Sequence, residues 1–237
     1  MAIYPYGENG ITNSLLECFD QDNEFFSHCI KELTQWTDGE EKKFQHTDLQ
    51  SKFIIQQPGF GRRGFGEPDG LVKANKYAFY LEAKALSYWQ TFGADWANFI
   101  KLNKYFAIAS AIKHMDGDEN VLENAVIEID EDGGFYLDTR RFRIGARPEI
   151  ISNLYRELRG NDFYIIILTK NEAQDWPGIG EHYRAQIEMY APLIKHHDVR
   201  YEHRFGWMPL VDIWNEIQER DEEYFQKLSN AFQCNGF

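Results

Sequence analysis

The chain is short of cysteine, of long apolar runs and of positive charge, and each shortage removes a class of protein. Its three cysteines, Cys18, Cys29 and Cys234, are odd in number and form no C-x-x-C pair. That spacing argues against a disulfide framework and against a thiolate zinc site, and predicts buried thiols. No stretch reaches the roughly 18 consecutive apolar residues of a membrane-spanning helix. The opening MAIYPYGENG has neither the basic nor the apolar region of a secretory leader. The expectation is a soluble, cytoplasmic protein with no membrane partner. The formal net charge of -13 disfavours general binding to polyanions, because nonspecific affinity for nucleic acid rests on Lys and Arg displacing counterions. Any contact with nucleic acid has to be local.

Against these shortages stands a plentiful core. With 237 residues, 43% hydrophobic and 16% aromatic, the chain can bury one full core. It reads as a single domain over 1–237, with an acidic hairpin insertion at 115–147 and a C-terminal helical elaboration at 180–237. No internal repeat or low-complexity linker divides it. Ile11, Leu15, Leu16 and Phe19 recur at helical spacing, and after FDQDN a second set follows at Phe26, Cys29, Ile30 and Leu33. KFIIQQ (52–57), DGLVK (69–73) and YAFYLEAKA (77–85) read as strands, separated by Gly, Pro and Asn. DWANFIKLNKYFAIASAIKHM predicts a long amphipathic helix, and a hairpin is expected around Asp132, Gly133 and Gly134. A buried strand at FYIIIL (163–168), a helix over 180–195, a short strand near VRYEHRF and a last helix from about Asp212 complete the pattern. The order predicts a mixed α/β (α+β) domain.

One stretch concentrates chemistry: GFGRRGFGEPDGLVKANKYAFYLEAKA, residues 59–85. A period of two puts Tyr77, Phe79, Leu81, Ala83 and Ala85 on one strand face, read as core, and Ala78, Tyr80, Glu82 and Lys84 on the other. If DGLVK pairs with this strand through a turn centred on Asn75 and Lys76, Asp69 lies directly opposite Glu82. A turn centred on Ala74 and Asn75 makes them diagonal neighbours. Either register leaves the two acids on one face, about 5–8 Å apart at the backbone; a three-residue turn separates them. Two carboxylates so placed repel unless a cation lies between them, and oxygen ligands suit Mg²⁺ or Mn²⁺. Lys84, beside that cation, is a candidate to hold or deprotonate a water, or to stabilise charge on a phosphate.

A Glu-x-Lys triplet alone carries little weight, since 38 acidic residues give about two acid-x-Lys triplets by chance. EEKK at 40–43 supplies two such decoys in a polar run with no strand pattern. What singles out Glu82-x-Lys84 is its conjunction with the preceding alternation, with Pro68-Asp69 upstream, and with the turn between. With those residues the chain resembles the PD-(D/E)xK nuclease superfamily, the restriction-endonuclease-like fold. The resemblance extends over about 8–113 and, less closely, the strand at 163–168. It implies an α-β-β-β-α-β core with a central mixed sheet flanked by helices. It also implies Asp69, Glu82 and the Ala83 carbonyl as ligands of Mg²⁺, which Mn²⁺ can replace, and Lys84 as the catalytic lysine. ENGIT at 8–12 is similar to an opening seen in some members, in which a first-helix glutamate, here Glu8, faces the site as a further ligand. From the residues alone Glu8 sits just before the first helix, with Asn9 and Thr12 as candidate caps.

Other candidates stand beside this set. Arg62 and Arg63 lie between glycines that permit close approach to a phosphate, or form a solvated loop. Lys101 and Lys104, with Asn98 and Tyr105, fall on or near the polar side of the long helix, where family members carry supporting residues; a solvated face is the alternative. Arg140, Arg141, Arg143 and Arg147 either track a second backbone segment or neutralise the acidic hairpin before them. His196, His197 and His203 lack the companions of a zinc site. The resulting expectation is a Mg²⁺-dependent endonuclease acting on nucleic acid, DNA in preference to RNA, in restriction or antiviral defence, as a homodimer or with an accessory subunit. The alternative is a nuclease-fold scaffold that binds a partner protein or nucleic acid without cutting.

Overall fold

The computed structural model describes residues 7–36, 44–50, 52–56, 69–84, 126–129, 135–138, 161–170 and 205–237. Helix α1 (Gly7–Gln21) is followed by α2 (Asn23–His28) and one π turn (Cys29–Leu33). The break between the helices has a local cause. Asp22 is extended and its side chain accepts the Phe25 N–H at 2.8 Å, so it caps α2. The π turn ends on Thr34, whose N–H and hydroxyl both donate to the Cys29 carbonyl, and the Trp36 indole N–H donates to the Ile30 carbonyl at 2.7 Å. Carbonyls that a helix end leaves open are thereby satisfied, and the chain passes into the two-residue strand β1 (Gln35–Trp36).

The remaining strands are β2 (Lys52–Gln56), β3 (Gly70–Ala74), β4 (Tyr77–Lys84), β5 (Val126–Ile129), β6 (Phe135–Asp138), β7 (Asp162–Thr169) and β8 (Phe205–Pro209), and helices α3 (Leu210–Ile217) and α4 (Glu223–Cys234) follow. One six-stranded sheet runs β1-β8-β7-β4-β3-β2, and β5 and β6 pair separately as a hairpin. The strands β2, β3 and β4 are consecutive and antiparallel, whereas β4, β7 and β8 are parallel. The fold is therefore a mixed α/β domain with a mixed sheet and flanking helices, as expected. A parallel neighbour needs a crossover, so β7 reaches β4 only after a long excursion of the chain.

Every described helix contributes to one core on one face of this sheet. Ile11, Leu15, Leu16 and Phe19 of α1, Phe25 and Phe26 of α2, Ile213 of α3, and Phe225, Leu228 and Phe232 of α4 pack with Val72, Phe79, Leu81, Tyr164, Ile166 and Met208. Phe44 meets Tyr77 and Tyr164 nearly edge-on, at 5.0 and 5.1 Å between ring centroids, a favoured arrangement for aromatic pairs. Cys18 and Cys29 are buried, and desolvation pushes both thiols up; such thiols are inert. Cys234 is exposed, against expectation, because it is the last residue of α4 and points away from the stripe formed by Phe225, Leu228 and Phe232.

The opposite face is buried too. Leu71, Ala78, Tyr80, Glu82, Ile165 and Ile167 have no exposed surface, so β4 and β7 are covered on both sides. This explains why β7 reads as an almost unbroken apolar run: an interior parallel strand has no solvent face on which to alternate. Four boundaries depart from the sequence reading. Helix α1 already includes Glu8, Asn9 and Thr12, so Asn9 and Thr12 are helical residues and not caps. Strand β1 was not foreseen. The strand expected near VRYEHRF is described from Phe205, its last residue, and runs on to Pro209, residues 199–204 falling outside the described residues, and the single last helix is two, broken at 218–222. The helices expected over 95–115 and 180–195 fall outside the described residues.

Gly206 permits the closest approach in the sheet. A Cβ there would stand 2.4 Å from Thr34 Cγ2 and 3.0 Å from the Trp36 ring, which lies across the β1–β8 pair. Gly206→Val is expected to destabilise the fold by about 1–3 kcal/mol through overpacking, measured as a lower urea midpoint with an unchanged slope.

Candidate metal centre

The hairpin β3–β4 sets the site. Its turn is Asn75–Lys76, with Ala74 opposite Tyr77 and Gly70 opposite Leu81. Of the registers open to the sequence, this is the one that places Asp69 opposite Glu82. Asn75 adopts φ 50, a left-handed conformation that asparagine tolerates in turns. The turn is fastened from outside the hairpin, for the buried Asn161 donates to the Asn75 carbonyl at 2.7 Å and Asp162 N–H donates to the Lys76 carbonyl at 2.7 Å.

At the other end, β3 stops and β4 continues. Gly70 is the first residue of β3 and pairs with Leu81, while β4 runs on to Lys84 alongside β7. The backbone of Ala83 thus extends past the end of its antiparallel neighbour. Asp69 fills the place of the missing strand: its Oδ2 accepts the Ala83 N–H at 2.7 Å. The N–H and C=O of one strand residue point toward the same neighbour. The Ala83 carbonyl therefore opens on the edge where the Asp69 carboxylate sits.

Glu82 belongs to the face opposite the helices, with Tyr80 two residues before it and Ile167 as its register partner on β7. Its side chain is 0% exposed and that of Asp69 is half-buried. Burying a carboxylate is costly unless cations or hydrogen-bond donors surround it. Tyr80 is buried against Phe163, ring centroids 5.5 Å apart, and desolvation pushes its phenol up, so its proton is firmly held. Residue 84 ends β4 opposite Thr169. Alternation puts it on the same face as Glu82.

The described structure thus brings together Asp69, Glu82, the Ala83 backbone and the strand position of Lys84. Glu8 lies within the first turn of α1, inside the helix and not ahead of it. Arg62, Arg63, Lys101, Lys104, Asn98, Tyr105, the arginines at 140–147 and His196, His197 and His203 lie outside the described residues, as does Pro68. Among the described residues no group of three His, Cys, Asp or Glu side chains is arranged to hold a metal ion, and none of the helices is long and apolar enough to cross a membrane. The oxygen-bearing groups that the register places at this strand end are two carboxylates and one backbone carbonyl. These are hard oxygen donors of the kind Mg²⁺ and Mn²⁺ take, with water completing the shell. The sequence reading missed the bond from Ala83 to Asp69, although a hairpin whose second strand is the longer leaves such an N–H to be satisfied.

No family model, no curated protein and no solved structure matches the chain.

Proposed function

We propose that the protein is a divalent-metal-dependent nuclease of the PD-(D/E)xK type, hydrolysing phosphodiester bonds in nucleic acid, with DNA the preferred substrate. The observation that carries this reading is the 2.7 Å bond from Ala83 N–H to the Asp69 carboxylate, which ties the Pro-Asp dipeptide to the Glu-x-Lys strand end. Strand pairing is consistent with it: β2, β3 and β4 are consecutive and antiparallel, and β7 lies parallel to β4, while the second helix of the α-β-β-β-α-β order falls outside the described residues.

In this reading Asp69, Glu82 and the Ala83 carbonyl would hold Mg²⁺, which would offset charge developing on the phosphate. Asp69 is fixed by its bond to the strand, so the ligand geometry is set before substrate arrives. Lys84 holds the attacking water and takes or shares its proton. The water oxygen bonds to phosphorus in line with the leaving oxygen, whose bond to phosphorus breaks and which takes a proton from solvent, yielding a phosphate monoester and a hydroxyl. Arg62 and Arg63 clasp the flanking phosphates. Their joint replacement by alanine is expected to weaken DNA binding on all sequences and to lower the salt slope by about one to two units, measured by titration at several salt concentrations.

The complete burial of Glu82 favours a second reading, a scaffold of the same fold that binds a partner without cutting. Incubating the protein with supercoiled plasmid, linear duplex and single strand, each with Mg²⁺, Mn²⁺ or chelator, separates the two. Metal-dependent cleavage supports the nuclease. No cleavage together with no calorimetric Mn²⁺ binding supports the scaffold.

A further inference from the structure

Strand β7 carries one polar residue among the wholly buried positions of its face shared with Glu82. That residue is Thr169, at its last position. Thr169 is 3% exposed, and its Oγ1 is buried with no hydrogen-bond partner among the described residues. A hydroxyl kept from water without a partner costs free energy, whereas valine has the same shape and carries no such cost. The other residues of this face, Phe163, Ile165 and Ile167, are apolar. Polarity therefore appears at the single position where the strand reaches the site.

Register fixes where that hydroxyl lies. Glu82 pairs with Ile167 and Lys84 with Thr169 across the parallel β4–β7 ladder, and paired residues of neighbouring strands project from the same face of a sheet. Thr169 thus sits beside the Glu-x-Lys strand end, on the side away from Asp69. Both strands end here at their carboxyl ends, where open α/β sheets present ligands. We propose that Thr169 is a substrate-binding residue, its hydroxyl donating a hydrogen bond to a non-bridging oxygen of the phosphodiester under attack. The assignment rests on the nuclease reading above. The signal was present in the sequence as the final residue of FYIIILT, a polar end to an apolar run.

The test compares wild type, Thr169→Val and Thr169→Ser in cleavage of a duplex with Mg²⁺ at several salt concentrations, alongside melting of the metal-free proteins. Thr169→Val is expected to lower kcat/KM about ten- to hundredfold, as loss of one hydrogen bond to a charged acceptor does, while Thr169→Ser stays within about twofold of wild type. The salt slope should not change, since a neutral donor displaces no counterion, and the melting temperature of Thr169→Val should hold or rise. Cleavage by Thr169→Val equal to wild type overturns this assignment and leaves the nuclease reading standing. So does a lower melting temperature in the valine variant, which would place the hydroxyl's partner inside the fold. A wild type inert with both Mg²⁺ and Mn²⁺ overturns the nuclease reading and this assignment with it.

Discussion

Lys84→Ala is expected to lower the cleavage rate by about 10²- to 10⁴-fold, the usual share of a group that handles the proton of the attacking water. Lys84 stands at the end of β4, beyond the last pairing of β3 and opposite Thr169. Its replacement therefore removes no pairing from the hairpin, and the melting temperature should change little. Mn²⁺ affinity should also hold, because the oxygen donors are untouched. The check is single-turnover cleavage at saturating Mg²⁺ beside calorimetric Mn²⁺ titration. Wild-type turnover in this variant would remove the lysine from the mechanism.

The second large effect separates two duties of one residue. Asp69 both accepts the Ala83 N–H and, in the proposed function, supplies a metal oxygen. Asp69→Asn keeps an oxygen able to accept from Ala83 but loses the negative charge, so metal affinity and cleavage should fall together while the fold stays near wild-type stability. Asp69→Ala removes the acceptor as well. The Ala83 N–H at the strand end is then left unmet, and the loss should be about 1–3 kcal/mol in addition to lost metal binding. Denaturant titration of the two metal-free variants gives the stability difference, and Mn²⁺ calorimetry gives the affinity. Equal stability of the asparagine and alanine variants would show that the bond to Ala83 does not hold the strand end, and normal Mn²⁺ binding by both would remove Asp69 from the ligand set.

Much of this centre was legible in the sequence because it depends on short-range rules. The alternation in YAFYLEAKA puts Asp69 and Glu82 on one face for either two-residue turn, and the structure selects the turn at Asn75–Lys76 that sets them opposite; FYIIIL announces a buried strand by its lack of alternation, and its parallel pairing comes from the structure. Longer-range features were not legible. That both faces of β4 are covered depends on chain segments far from it, so alternation alone marked only the face of Phe79 and Leu81 as core. Strand β1 has two residues, too few for any period, and it exists because Trp36 packs across Gly206. The break between α3 and α4 falls in a polar run, QERDE, that a helix face can also accommodate. For Glu8, helical periodicity began at Ile11, and the first turn carries too few apolar residues to extend it backward.

The fastening of the hairpin turn by Asn161 and Asp162 bears on the order in which the molecule assembles. The β3–β4 hairpin joins neighbours in sequence, but Asn161 contacts Asn75 across a separation of 86 residues. Closing so long a loop is entropically costly, and folds dominated by such contacts form slowly. The hairpin, and with it the pairing of Asp69 with Ala83, can therefore precede the arrival of β7. Docking of β7 then sets Ile167 beside Glu82 on the shared face. Two carboxylates brought together early would spend that interval near water, where their repulsion is mild, and Glu82 would lose its water only as the rest of the sheet closes around it.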